Sequence, residues 1–236
     1  MKKYTLTLIL ALASLGLYAQ TNRNKTIINA ALHGWEYEIK AGVNLGGTAP
    51  LPFPEEIRSI DGYNPTLSIT IEGNMTKWLD TKKKWGIITG LRLENKGMRT
   101  KATVKNYNME IIGYDGNRLK GNWTGGVRTK VQNSYITIPV LAAYKLSPRT
   151  TLKLGPYFSY LMDGDFSGHV YEGYLRETNP TGDKINFTNG AIATYDFSGD
   201  LRKFQWGVQA GVDWKAFKHL KVHADLNWGL NDIFNK

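Results

Sequence analysis

Apolar and polar residues alternate along most of this chain after Trp35. In "EYEIKAGVNL" the odd positions from Tyr37 to Leu45 are apolar, and the even positions from Glu36 to Asn44 are polar or glycine. Successive side chains of a β-strand point to opposite faces of the sheet. The segment therefore predicts a strand with one apolar and one polar face.

Six more segments repeat this pattern. They are "TLSITIEGNM" (66–75), "WGIITGLRLENKG" (85–97), "SYITIPVLAAYKL" (134–146), "TLKLGPYFSYLM" (151–162), "KFQWGVQAGVDWKAF" (203–217) and "KVHADLNWGL" (221–230). Pro139 has no backbone N–H to donate, so we expect a bulge or locally imperfect pairing around it. The pattern predicts an all-β chain with about seven strands.

The connections between these strands alternate in length. Those after the first, third and fifth strands run to about eighteen, thirty and forty residues, whereas "KWLDTKKK", "KLSPRT" and "AFKHL" are short. Strands of a soluble β-sandwich also alternate apolar and polar residues, but nothing in that fold requires long and short connections to lie at opposite ends. An up-and-down antiparallel outer-membrane barrel does, with long loops outside and tight turns in the periplasm.

The long connections contain patterns of their own. "MRTKATVKNYNMEIIGYDGNRL" alternates and includes the turn sequence "YDGN", which indicates that the third and fourth strands continue as a hairpin beyond the membrane. "GDFSG" at 164–168 and "DFSGD" at 196–200 flank the longest connection and are predicted to be paired turns.

Aromatic residues lie near the ends of the predicted strands, as in the aromatic belts of membrane barrels. Four lie near short turns and three toward the long loops. The predicted belts comprise Trp78, Trp85, Tyr144, Trp214, Tyr160, Trp206 and Trp228.

The polar faces carry charges of both signs. In a barrel of about eight strands the interior is just filled by side chains, so these groups are predicted to form a buried polar network. A narrow polar conduit or a small-ligand pocket is the alternative. The predicted network comprises Glu36, Glu38, Lys40, Glu72, Arg92, Glu94, Lys153, Asp213, Lys221, His223 and Asp225.

The first residues indicate export. "MKKYTLTLILALASLGLYAQ" has a lysine pair, a short apolar run and Ala19 before Gln20, which predicts a cleaved signal peptide at 1–19. We expect a periplasmic segment at 20–34 and the barrel domain at 35–236, located in the outer membrane. The chain has no cysteine, which excludes disulfides and thiolate sites. Its net charge of +10 is scattered or lies in loops, so we expect no nucleic-acid partner.

Several strand motifs resemble those of a known family. "YEIKAGVNLGG", "GIITGLRLENKGM", "YITIPVLAAYKL", "LKLGPYFSYLMDG", "WGVQAGVDW" and "ADLNWGLNDIF" are similar to motifs of the small outer-membrane β-barrel proteins of Bacteroidetes, the porin family or PorT-like proteins. The resemblance covers nearly the whole chain after the signal peptide and implies a transmembrane barrel of the eight-strand type, but little about activity. Members usually continue to an eighth strand ending in an aromatic residue. Because this sequence ends at Lys236, we expect the closing C-terminal strand to be missing from it.

No pattern predicts a catalytic or metal site. The four histidines lack ligand spacing, and the acids Asp163, Asp165, Asp196 and Asp200 are expected to be solvated turn residues rather than calcium ligands. No Ser/His/Asp set lies at one depth, which argues against a lipid-modifying barrel enzyme. We therefore expect no enzyme activity and no cofactor.

The expected partners are outer-membrane lipids and an extracellular ligand or protein held by the outer loops, in a structural or binding role. The alternatives are a narrow channel and an accessory component of a secretion system. The aromatic residues expected to contact such a partner are Phe53, Tyr63, Tyr107, Trp123, Tyr171, Tyr174 and Phe187.

Overall fold

The computed structural model describes residues 34–47, 55–113 and 116–235. The predicted signal peptide (1–19), nearly all of the predicted segment 20–34 and Phe53 lie outside these residues. The chain divides into two compact units, Met1–Glu36 and Tyr37–Lys236. Only residues 34–36 of the first unit are described, so the fold given below is that of the second.

The described residues form one antiparallel sheet. Its strands are β1 (Trp35–Asn44), β2 (Ile57–Thr66), β3 (Ser68–Trp78), β4 (Trp85–Ile112), β5 (Arg118–Lys145), β6 (Thr150–Glu177), β7 (Lys184–Asp196), β8 (Phe204–Lys215) and β9 (Lys221–Gly229). The main hydrogen-bonded order is β1-β3-β4-β5-β6-β8-β9, while β2 pairs with β4, and β7 with β4 and β6. Each of the seven predicted segments overlaps a strand of the main order, and the prediction of an all-β fold is confirmed. Among the described residues, no helix is long and apolar enough to cross a membrane.

Three strands run far beyond the predicted alternating segments. β4, β5 and β6 are each 28 residues long, and β4 pairs with β5 as far as Ile112 opposite Arg118. This confirms that the third and fourth predicted strands continue as a hairpin, although two residues of its "YDGN" turn are not described. We call residues 97–112 of β4, 118–132 of β5 and 165–177 of β6, together with β2 and β7, the extension.

The extension corrects one prediction about the long connections. "GDFSG" was predicted to be a turn, but 164–168 lie within β6, where Phe166 and Ser167 pair with β5. Ser167 and Gly168 also pair with β7. Backbone hydrogen bonds on both edges hold this glycine-flanked stretch extended, so its turn propensity does not prevail. The stretch 196–200 does leave β7 and enters a short 3-10 helix at Ser198–Asp200.

The main sheet is polar on its inward face and apolar on its outward face. Ile39, Ile69 and Leu226 have exposed fractions of 87%, 67% and 69%, whereas Lys40, Arg92 and Lys153 are 2–5% exposed. A soluble fold would bury the first group and expose the second. The arrangement suits a sheet surrounded by lipid, with its polar groups satisfied inside.

A separate hydrophobic core lies within the extension. It comprises Val104, Met109, Ile111, Trp123, Val170, Leu175, Phe187, Ala193 and Tyr195. Trp123 is fully buried, and its ring contacts Phe187 edge-on at 5.3 Å between centroids. The prediction that these two rings face a partner is therefore wrong, because they pack against each other inside the extension.

Candidate functional site: the lumen clusters and the outer cavity

Strand register brings polar residues together on the inward face. Glu72 of β3 lies opposite Arg92 of β4, which lies opposite Thr137 of β5, which in turn lies opposite Ser159 of β6. Directly opposite residues of neighbouring strands point to the same face. The alternation along each strand therefore becomes a polar row running around the interior.

The first group of contacts surrounds Arg92, and we call it the Arg92 cluster. The guanidinium donates to the Glu72 carboxylate and to Oε1 of Gln209 at 2.7 Å, and lies 3.8 Å from Glu94. The other members are Asn74, whose amide donates to Glu72; Thr137, whose hydroxyl donates to Glu94 at 2.8 Å; Ser159, which shares a 2.7 Å hydrogen bond with Thr137; and Lys96, 3.2 Å from Glu94.

The second group, the Lys153 cluster, lies nearer the short turns. The Lys153 ammonium is fully buried and lies 2.7 Å from Asp213 and 2.9 Å from Asp225. Lys40 of β1 lies 3.4 Å from the same oxygen of Asp213. Gly211 lies between Lys153 and Asp225 in the register, and an added methyl group there would collide with the Asp225 carboxylate. The glycine thus leaves room for the ion pair.

Both clusters are balanced in charge. The Arg92 cluster has two cations and two carboxylates, and so does the Lys153 cluster. Buried charges persist when they are paired and hydrogen-bonded, and these groups meet both conditions.

Three of the remaining predicted network residues, Glu38, Lys221 and His223, lie on β1 and β9. Lys221 of β9 pairs with Glu38 of β1 at 3.2 Å, and the His223 ring lies against Gly42 of β1. Glu36 is half-buried at the start of β1, in the first unit. Five members were missed by the sequence prediction: Asn74, Lys96, Thr137, Ser159 and Gln209. All five occupy inward positions of their strands, since Lys96 shares the parity of Arg92 and Glu94 on β4, so the parity of each strand was the signal that could have found them.

The predicted aromatic belt residues lie on the outward face with one exception. Trp85, Tyr160, Trp206, Trp214 and Trp228 are 42–57% exposed, and Tyr144 packs against Trp85 with 4.5 Å between ring centroids. Trp78 differs because it shares the parity of Glu72 and Asn74. It is buried with Ile88, Leu141 and Ala143, so the prediction that Trp78 belongs to an aromatic belt is wrong.

A cavity of about 870 Å³ lies in the extension and touches five of its strands. It spans three consecutive rows of the sheet, of which the middle one contains Tyr63, Thr100, Thr129 and Tyr195. Tyr195 is buried and shares a 2.6 Å hydrogen bond with Thr129, and burial raises its pKa to about 12. Hydroxyl groups and an exposed tyrosine ring, Tyr63, therefore share this inner face.

The side chains of the two rows on either side of this middle row point to the opposite face of the sheet. These rows contain Arg99, Lys101, Arg128, Lys130 and His169. Partial burial, followed by the nearby Arg128 cation, lowers the pKa of His169. The extension thus has an inner surface rich in hydroxyl groups and an outer surface rich in cations.

The predicted acids at the base of the extension do not converge. Asp165 pairs with Lys130 at 3.1 Å, and Asp196 accepts the backbone N–H of Ser198 at 2.8 Å. No group of three potential ligands that could hold a metal ion occurs within 34–47, 55–113 and 116–235.

Comparison with known proteins gives one match. A family model described as outer membrane protein beta-barrel domain matches residues 18–235. No curated protein and no solved structure matches the chain. The match agrees with the apolar outward face and the polar interior of the sheet, and covers most of the sequence. The chain belongs to the outer membrane protein beta-barrel domain family.

Proposed function

We propose that this outer-membrane barrel protein is closed to solute flow and has a structural and binding role exercised through its extension. The observation that carries the proposal is the burial of two charge-balanced clusters in its interior. Both the closed lumen and the binding role go beyond membership of the family, since a fold does not fix a function.

Two contacts cross the interior between strands that are not neighbours in the sheet. Arg92 of β4 reaches Gln209 of β8 at 2.7 Å, and Lys40 of β1 reaches Asp213 of β8 at 3.4 Å. A water-filled pore would hydrate such groups separately at its walls. Direct contacts across the interior support a lumen filled by side chains at both levels.

The extension supports the binding role. Connecting loops need no hydrophobic core, yet this extension has one, with Trp123, Ile111 and Leu175 fully buried. A rigid platform of this kind lowers the entropy lost when a partner binds. The cavity of about 870 Å³ falls within the usual size range of ligand pockets.

The proposal includes no catalytic step. The positions of the three described histidines support this: His169 lies in the extension, His219 in the turn before β9 and His223 on the inward face of β9, which places them at different depths. An accessory role in a secretion system would be the same binding role with a protein as the ligand.

Planar-bilayer conductance tests the closed lumen against the narrow-channel alternative. The refolded full-length protein, with insertion verified by its heat-modifiable mobility, is expected to give no discrete current steps. Reproducible steps from the inserted protein would overturn the proposal. A variant in which Lys153, Asp213, Asp225 and Lys40 are all replaced by alanine removes one balanced cluster, and it serves as the control for detecting an opened lumen.

A further inference from the structure

We propose that four cations on the outer surface of the extension bind the phosphate groups of a phosphorylated glycolipid in the surrounding leaflet. We call these residues, Arg99, Lys101, Arg128 and Lys130, the cation array. The inference rests on the proposed function in one respect, since it places the end with long strands outside the cell.

Register places the four side chains in a square. Arg99 of β4 lies directly opposite Lys130 of β5, and Lys101 lies directly opposite Arg128. Positions two apart on a strand share a face, so all four point the same way. Thr129, between Arg128 and Lys130, points toward buried Tyr195, and Thr100 lies directly opposite Thr129 on the same face. The array therefore faces away from the interior, with Arg99, Arg128 and Lys130 exposed and Lys101 half-buried.

Like charges directly opposite each other destabilise a sheet, and this square has two such pairs. Asp165 pairs with Lys130 at 3.1 Å. Asp61 on β2 lies near Lys101, and its pKa is lowered mainly by hydrogen bonds from Ser59 and Thr103 and further by the Lys101 cation. In the part of the chain that the structure describes, Arg99, Lys101 and Arg128 form no ion pair. An external anion would relieve this repulsion.

Tyr171 orders two members of the array. Its ring centroid lies 5.0 Å from the Arg128 guanidinium and 5.6 Å from the Lys101 ammonium. A cation–π contact holds a cation in place without neutralising it. The aromatic ring thus presents two full positive charges side by side, an arrangement that suits a phosphate group.

The height of the array favours a glycolipid over a phospholipid. Leu93 is the last apolar outward residue of β4, and the six residues from there to Arg99 span about 20 Å along a strand. With a strand tilt of about 40° the array lies about 15 Å above the apolar band. The headgroup layer of a phospholipid bilayer is only about 5–8 Å thick on each side. The phosphate must therefore be carried on a longer headgroup, such as a phosphorylated sugar.

Titration of the full-length protein in zwitterionic micelles tests the inference. The probes are phosphorylated lipopolysaccharide and the same material after its phosphates are removed. The phosphorylated form is expected to bind more tightly. The difference in affinity between the two forms is expected to shrink as salt rises from about 50 to about 500 mM. Lys101→Gln/Arg128→Gln is expected to weaken this binding about 25-fold, at about fivefold per cation near a membrane surface.

The control Lys82→Gln/Lys218→Gln removes the same charge from two exposed turn residues at the other end of the barrel and is expected to leave binding unchanged. Arg99→Gln/Lys130→Gln gives a second test if the first pair impairs folding, which heat-modifiable mobility detects. Equal binding of the two lipopolysaccharide forms, or equal loss in the control, overturns the inference. Equally tight binding of phosphatidylglycerol refutes the argument from height, and equally tight binding of soluble dextran sulfate identifies a site for free polyanions instead. Current steps in the bilayer experiment bear only on the closed lumen.

Discussion

Replacing Arg92 with methionine distinguishes a filled lumen from a water-filled one. Arg92 is 3% exposed and is the cation that contacts Glu72 within the Arg92 cluster. Glu94 keeps Lys96 at 3.2 Å, whereas among the described residues Glu72 keeps only the amide of Asn74. Removing one partner of a buried ion pair costs about 3–5 kcal/mol, because the other charge stays buried without compensation. The same pair in contact with bulk water contributes at most about 1 kcal/mol.

Urea unfolding of the refolded protein in phospholipid vesicles, followed by tryptophan fluorescence, measures this difference. We expect Arg92→Met to lower the free energy of unfolding by about 3–5 kcal/mol. The double variant Arg92→Met/Glu72→Gln removes both charges and should recover all but about 1–2 kcal/mol. Arg118→Met is the matched control, because Arg118 and Glu110 form a 2.8 Å ion pair with side chains 73% and 42% exposed.

The control is expected to lose less than about 1 kcal/mol. A loss for Arg92→Met no larger than that of the control, with no recovery in the double variant, would refute the filled lumen. It would mean that water screens Glu72, and the narrow-channel alternative would then gain support.

Three further predictions test the two halves of the molecule. Gly211→Ala should lower the free energy of unfolding by about 1–3 kcal/mol by displacing Asp225, whereas Gly73→Ala, with no atom within 4 Å of the added methyl group, should have little effect in the same urea assay. Trp123→Ala should destabilise the extension by about 3–5 kcal/mol, seen as faster proteolysis there while the barrel stays heat-modifiable; loss of heat-modifiability would show that the two parts fold as one. Because the pKa of His169 is lowered, the unfolded extension binds its proton more readily, so the extension should be most stable above about pH 6.5 and lose stability as pH falls. Proteolysis rates across this range, compared with those of His169→Gln, measure the effect, and identical pH profiles would contradict it.

Alternation along the chain was sufficient to predict the main strands and their inward residues. A strand fixes which face each side chain takes, so Glu72, Arg92 and Lys153 could be assigned to the interior from parity alone. Parity also places Trp78 inward and Gln209 beside Arg92, although residue type alone suggested a lipid-facing belt for the tryptophan. In these cases the face of the strand decided the outcome rather than the chemistry of the residue.

The extension was harder to predict because its edge strands carry weak patterns. "IRSIDGYNPT" in β2 has no regular alternation, yet its backbone pairs with 97–104 of β4. β7 likewise adds to an edge of β6 that already exists. Such pairing is made by backbone groups and depends little on side-chain periodicity. The burial of Trp123 and Phe187 follows from it, since only the added strands enclose a second core.

Charge balance is what finally separates a filled lumen from a selective pore. The network predicted from sequence contained six carboxylates and four cations, an excess that would favour a cation pathway lined by acids. The structure adds Lys96 to the Arg92 cluster, and Glu36 falls in the first unit. Five cations then face five carboxylates within the second unit, each in a contact of 4 Å or less. A selective pore needs unpaired charge of one sign to attract its ion, whereas paired charges satisfy each other. This pairing supports the proposal of a closed lumen over the narrow-channel alternative, with the binding role proposed for the extension.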